Sequence, residues 1–268
     1  MPKIIKITAL ILITFFFAFS CRRGKEESFL SADFEILVNG KAPTAEIEII
    51  NNSAGVNSYE WTFSEGVKEK KGSVRTPKNF IIDKAGKFTV TLKVSNGKYE
   101  KIKTKTVIIP GNSPVFKFKD IKFSLNPGAV NSGRCFSSQS GIIYKDDEIS
   151  ETNSSNIDLV LTYSGNEKFL FVSPDDSLQN FTFVSENHTL IENISTKIAI
   201  SDYEKITDDY LLKNLIIDTI PKNFDISGNA NVSIFETSGN KKAVVFSKNV
   251  ENGNLITDII VQKYSNSK

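Results

Sequence analysis

From Lys87 to Ser95 every second residue is apolar. Phe88, Val90, Leu92 and Val94 alternate with Lys87, Thr89, Thr91, Lys93 and Ser95. Side chains of an extended chain point to opposite faces in turn, so this pattern specifies a strand with one buried face. The same period recurs over 33–109. Phe34, Ile36 and Val38 share a face. So do Ala45, Ile47 and Ile49, with Glu46 and Glu48 pointing away, and Tyr59, Trp61 and Phe63. Ile102, Thr104, Thr106 and Ile108 read as a further face. Asn96-Gly97 between the last two strands suits a type I′ hairpin, which needs positive φ at both central residues. Several short strands in about 80 residues predict a β-sandwich, with Trp61 in its core.

The pattern stops at Pro110-Gly-Asn-Ser-Pro114. Two prolines and a glycine within five positions mark a linker at 110–114. Beyond it, 115–265 reads as a second β-rich domain. Its strand candidates are Phe116–Leu125, Gly141–Tyr144, Ile157–Tyr163, Lys168–Ser173, Phe181–Val184, Thr196–Ile200, Val232–Glu236, Ala243–Ser247 and Leu255–Lys263. A short helical insertion over 201–214 breaks the series. Ser201 and Glu204 have capping-box spacing. Tyr203, Ile206, Tyr210 and Leu211 recur at helical spacing and predict one docked face. The fold class expected is therefore mainly β: two domains with little helix.

The N-terminus carries an address. Lys3 and Lys6 precede a stretch from Ile7 to Phe19 that is apolar except for Thr8 and Thr14. A membrane span takes about 20 residues; this shorter run fits the core of a secretory signal peptide, 1–20. Ala18-Phe-Ser-Cys21 resembles the cleavage site of bacterial lipoproteins, in which the cysteine is acylated and becomes the mature N-terminus. Ala18 departs from the leucine usual there, which leaves ordinary cleavage or an uncleaved anchor as alternatives. Acylation at Cys21 implies a membrane partner through the lipid anchor, with 21–32 as a polar tether. Lys25-Glu26-Glu27 resembles the sorting signal of surface-exposed lipoproteins of Bacteroidota, but so short a match reads more simply as a solvated linker. The expected location is the cell envelope, as an outer-membrane lipoprotein facing the periplasm or the exterior.

Removing the leader takes two of the 33 basic residues and leaves them in balance with 31 acidic ones. A neutral body lacks the basic face that nucleic acid requires, so no nucleic-acid partner is expected. With Cys21 acylated, Cys135 has no disulfide partner.

Two resemblances carry further expectations. Tyr59-Glu-Trp61-Thr-Phe63-Ser-Glu-Gly66, Pro77 and Gly86-Lys-Phe88-Thr-Val90-Thr-Leu92-Lys-Val94 resemble the PKD domain. That family is an immunoglobulin-like sandwich of extracellular proteins. Ser64-Glu65-Gly66 stands where the family has Gly-Asp-Gly, and the histidine and tyrosine usual after Pro77 are missing. In the second half, Gly133-Arg-Cys-Phe136-Ser137-Ser138, Gly141-x-x-Tyr144, Ile157-Asp158-Leu159, Ser173-Pro174-Asp175 and Ile259-Ile-Val-Gln-Lys263 resemble a domain of Bacteroidota lipoproteins. That resemblance implies lineage and compartment, not chemistry.

Chemistry is sparse. One histidine, His188, and one free cysteine do not make a zinc site, and no EF-hand loop, Gly-x-Ser-x-Gly elbow or phosphate loop occurs. No cofactor, metal or catalytic residue is expected. Asp146-Asp147-Glu148 reads as a solvated cluster, with calcium as the lesser alternative. Tyr163 alternates with Leu159 and Leu161 and reads as core. Asp158 shares a face with Val160 and Thr162; if buried, its carboxylate needs a partner, with Arg134 one option. Arg134, Tyr144, Asp158 and Asp175 are the candidate binding residues, because they lie in or beside the segments that carry the second resemblance. The expected function is a non-catalytic binding or interaction module, the first domain a spacer and the second contacting a glycan or an envelope protein. The alternative is a carboxylate-based, glycoside hydrolase-like enzyme.

Overall fold

A computed structural model describes residues 29–126, 133–163, 168–179, 185–219, 222–225 and 230–265. Residues 1–20, read above as a signal peptide, Cys21 and the Phe181–Val184 strand candidate lie outside the described residues.

The first half is a two-sheet sandwich. One sheet has the order β1-β2-β5, from β1 (Phe34–Asn39), β2 (Ala45–Asn51) and β5 (Phe80–Ile82). The other has the order β4-β3-β6-β7, from β3 (Ser58–Phe63), β4 (Lys71–Gly72), β6 (Gly86–Ser95) and β7 (Glu100–Ile109). Phe34, Ile47 and Ile82 from the first sheet meet Trp61, Phe88, Val90 and Leu92 from the second. Trp61 is 0% exposed and meets Phe34 edge to face at 5.2 Å. Its indole N–H donates to the carbonyl of Val74 at 2.9 Å, which satisfies the one polar atom the core takes in.

Two expectations fail in β7 and its turn. Ile102 and Ile108 are exposed, and the inward residues are Val107 and Ile109. Directly opposed residues of an antiparallel pair share a face. Thr106 faces Thr89, Thr104 faces Thr91, and their hydroxyls bond at 2.9 and 3.0 Å on the outer surface. Pairing with β6 therefore sends Ile102 and Ile108 outward. Val107 pairs with Phe88 and turns inward with it. In the hairpin, positive φ falls on Gly97 but not on Asn96. The Asn96 side-chain oxygen instead accepts from the N–H groups of Lys98 and Tyr99. The pair with positive φ at both positions is Asn252-Gly253, at 50° and 73°. It joins β15 (Lys242–Glu251) to β16 (Asn254–Gln262).

The second half also packs sheet on sheet. A five-stranded sheet has the order β13-β14-β15-β16-β8, adding β8 (Val115–Ser124), β13 (Leu190–Glu192) and β14 (Asn231–Glu236). A four-stranded sheet has the order β10-β9-β11-β12, from β9 (Cys135–Phe136), β10 (Ile143–Tyr144), β11 (Leu159–Tyr163) and β12 (Phe169–Val172). Between them lie Phe136, Leu161, Phe169 and Phe171 from one side and Phe123, Phe235, Val245 and Ile259 from the other.

Both outer faces are covered as well. α1 (Ile200–Tyr203), α2 (Tyr210–Lys213) and the chain around them place Ile198, Tyr203, Ile206, Leu212 and Leu215 over Val232, Ile234, Val244 and Ile260. Ile149 and Ile157 cover Cys135, Val160 and Val172. Tyr210 and Leu211 are exposed, and Leu212 takes the expected inward place, because the chain breaks into two short helices. The residue capping α1 is Ala199, not Ser201. Thr196–Ile200 forms no strand; β13 lies earlier, opposite Ile234–Glu236.

Residues 110–114 are pinned to both halves. The carbonyl of Pro110 accepts from Ala42 N–H, and the Ser113 hydroxyl accepts from Ala85 N–H. Ser113 N–H donates to Asp209, and Lys213 donates to Asn112. Gly111 sits at φ 104°, where a Cβ would come within 2.7 Å of the Ala42 carbonyl oxygen. Across the same junction Asp83 accepts from the Lys263 ammonium at 2.6 Å and the Tyr264 hydroxyl at 2.5 Å.

Candidate functional site

A groove of about 310 Å³ runs beside the edges of the two C-terminal sheets, between β12 and β13. Leu170, Leu178 and Ile191 give it apolar walls, and Asp175, Asp176, His188 and Asn193 supply polar groups. Asp175 sits in the turn after β12, and His188 in the segment before β13. The two segments are tied together by a backbone-to-side-chain bond: Thr189 N–H donates to the Ser173 hydroxyl at 2.8 Å. The Asn193 amide accepts from Phe171 N–H and donates to its carbonyl, both at 2.8 Å, as a neighbouring strand would. That closure satisfies the β12 edge where it would otherwise invite another chain.

The polar pair of the groove is His188 Nδ1 and Asp175 Oδ2, 2.8 Å apart. Partial burial pushes the Asp175 carboxyl up. Hydrogen bonds from Ser173 and His188 outweigh that and hold it below the usual carboxylate range. Asp175 is therefore an anion at neutral pH, and its pairing orients the imidazole, which is largely exposed. The Thr189 hydroxyl oxygen, in the groove wall, is buried without a hydrogen-bond partner among the described residues. Buried polar atoms are usually satisfied, and an orphan beside a concavity is a place for water or a ligand group. Asp176 accepts from Leu178 N–H at 2.9 Å and so caps the turn Ser177–Gln179.

The other candidate residues sit elsewhere. Arg134 is buried and binds both carboxylate oxygens of Asp146, at 3.0 and 2.9 Å through Nε and at 2.8 Å through Nη2. Tyr144 is half-buried on the adjacent strand β10, and its carbonyl accepts from Arg134 N–H. Asp158 accepts from the N–H and the hydroxyl of Ser138 at 2.8 and 2.7 Å. Burial raises its carboxyl above the usual range, and the two Ser138 bonds offset only part of this. Its partner is thus Ser138, not Arg134. The structure brings Arg134, just before β9, beside Tyr144 of β10; of the four candidates, Asp175 lines the groove.

The sequence reading passed over His188 as a partner for Asp175. The two are separated along the chain, and the signal that could have joined them is the rarity of histidine itself. Cys135 is fully buried; burial first, and Asp146 second, push its thiol far up, so it stays protonated and unreactive. Tyr163 stacks on Phe169 at 5.3 Å and remains 36% exposed at the end of its strand, not sealed in the core. In the cluster 146–148, Asp146 is held by Arg134 and Glu148 by Lys145. Among the described residues no group of three or more His, Cys, Asp or Glu side chains is placed to hold a metal, and no helix is long and apolar enough to cross a membrane.

No protein-family model matches the sequence. No curated protein matches it either. Among solved structures, a DUF4466 family protein from Parabacteroides merdae is similar at 13% identity and a TM-score of 0.39, over 88% of this chain and 99% of that one.

Proposed function

We propose that this chain is a Bacteroidota-type cell-envelope lipoprotein, anchored through Cys21, that works as a non-catalytic binding module. Its PKD-like sandwich is the spacer, and the C-terminal half holds the ligand in the groove at Asp175 and His188. The observation that carries this reading is the groove itself: apolar walls and an ordered anion–imidazole pair in one concavity, with the buried, unpartnered Thr189 hydroxyl in its wall. Concave sites with a few convergent polar groups are where small ligands bind. Such a site suits a sugar residue, whose C–H faces would lie on Leu170 and Leu178 while its hydroxyls meet Asp175 and His188.

A glycan array on the full chain tests the reading. A signal that falls in His188→Ala and Asp175→Asn supports a sugar ligand at this groove. Signals that persist in both variants move the ligand elsewhere, and silence across the array leaves an envelope protein as the partner to be sought by cross-linking in intact cells. Mass spectrometry of the membrane-extracted chain tests the anchor: a free thiol at residue 21 overturns it. Protease shaving of intact cells distinguishes the periplasmic from the exterior face.

A further inference from the structure

A second concavity, of about 420 Å³, is lined by residues of both halves. Its wall takes Lys70 from the loop between β3 and β4 and Lys241 from the turn between β14 and β15. Lys263, Tyr264, Ser265, Gln139 and Glu65 complete the polar lining.

The charges here are not in balance. Glu65 is bound to Lys84 at 3.0 Å. Asp83, just behind, is bound to Lys263 at 2.6 Å and to the Tyr264 hydroxyl. Both carboxylates are thereby used. Lys70 and Lys241 form no ion pair among the described residues, and their charges act on Glu65 only at longer range, where they add to the pull of Lys84. Lys70 and Lys241, one from each half, thus line the same cleft with no ion pair of their own among the described residues, and Lys241 also acts at longer range on Asp158. Like charges brought to one concavity repel, and an anion between them relieves the repulsion more effectively than bulk water does.

We propose that this cleft binds an oxyanion, a phosphate or a carboxylate, which bridges Lys70 and Lys241. Lys263 and the Gln139 amide stand at the same wall as further donors. Tyr264 is locked in place by its bond to Asp83 and by the ammonium groups of Lys263 and Lys84, 5.2 and 5.5 Å from its ring centre. The site draws on both halves, so its ligand also ties them together. It shares no residue with the groove at Asp175, and the two sites stand or fall separately.

Calorimetric titration of the full chain in detergent tests the proposal, with inorganic phosphate as the first probe and oligogalacturonate as the second. Binding is expected to weaken as sodium chloride rises. It is expected to weaken about tenfold or more in the double variant Lys70→Gln/Lys241→Gln, the loss of two charge-assisted contacts. The control Lys101→Gln/Lys103→Gln, on the exposed strand β7, should bind like the parent. Binding of both probes assigns a general oxyanion site; binding of oligogalacturonate alone places the anion on a saccharide. No binding of either probe, or equal affinity in the two double variants, overturns the proposal. Circular dichroism of the variants confirms that the fold persists.

Discussion

In β6 of the first half, buried Phe88, Val90, Leu92 and Val94 are separated by residues that reach solvent. In β16 of the second half, Leu255, Ile256, Thr257, Ile259, Ile260, Val261 and Gln262 are all buried. Both are antiparallel strands of nine or ten residues. The difference is what lies behind them. The outer face of β6 is a threonine ladder open to water, whereas the outer face of β16 is roofed by the chain around α1 and α2. Alternation is thus a property of a sheet with one wet face; an antiparallel sheet covered on both faces takes the near-continuous apolar run usually associated with parallel sheets. The first half is two layers and the second adds a cover to each.

The comparison can be broken most directly in the first half. Trp61→Ala should lower stability by about 3–5 kcal/mol, the cost of emptying a large buried aromatic site. Denaturant unfolding followed by circular dichroism measures it, and a loss below about 1 kcal/mol would mean that the two sheets do not depend on this ring.

A pair of isoleucines sharpens the contrast. Ile260→Ala, beneath the helical cover, should cost about 2–5 kcal/mol. Ile108→Ala, on the exposed face of β7, should stay within about 0.5 kcal/mol. Equal losses would show that the outer face of β7 is also covered.

Asp158→Ala should cost about 1–3 kcal/mol, because it strands the buried N–H of Ser138. Asp158→Asn keeps an acceptor and should recover most of the loss. Its pH dependence has a definite sign. Burial raises the folded-state pKa above the ordinary carboxyl value of 3.8, so the native state holds the proton longer than the unfolded one. Stability from this group is full below 3.8 and falls as pH rises through the raised value. The parent should lose ground to Asp158→Asn over that window, and parallel pH profiles would contradict the shift.

The smallest effect is expected at the groove. The folded-state pKa of Asp175 is lowered, so its contribution is full above 3.8 and is lost as pH falls through the depressed value. The pairing is partly exposed, and acid titration by NMR of the His188 ring should report its loss with little change in global stability. An unfolding midpoint that moves strongly with Asp175→Asn would instead make this pair structural.

Much of the fold was legible because alternation is local. Steric pleating puts residues i and i+2 on one side whatever the strand pairs with, and so the faces of β1, β2, β3 and β6 follow from composition along the chain. The β-rich class and the burial of Trp61 came by the same route. What pattern could not supply was the partner. In β7 both alternate sets contain apolar residues, and only the threonine ladder with β6 decides that Val107 and Ile109 turn inward. Asn96-Gly97 and Asn252-Gly253 have the same composition, yet only the second takes two positive φ angles, because the Asn96 side chain bonds its own turn.

The candidate site shows the same division more sharply. The sequence by itself determined which groups are scarce: one histidine, two cysteines and one tryptophan. Tertiary structure alone decided that Asp175 meets His188, that Asp158 is spent on Ser138, and that Lys70 and Lys241 from different halves face one cleft. These meetings depend on strand order and on closing long loops, which the period of a strand does not encode. Local sterics select the face of a strand, and long-range pairing selects what that face will touch.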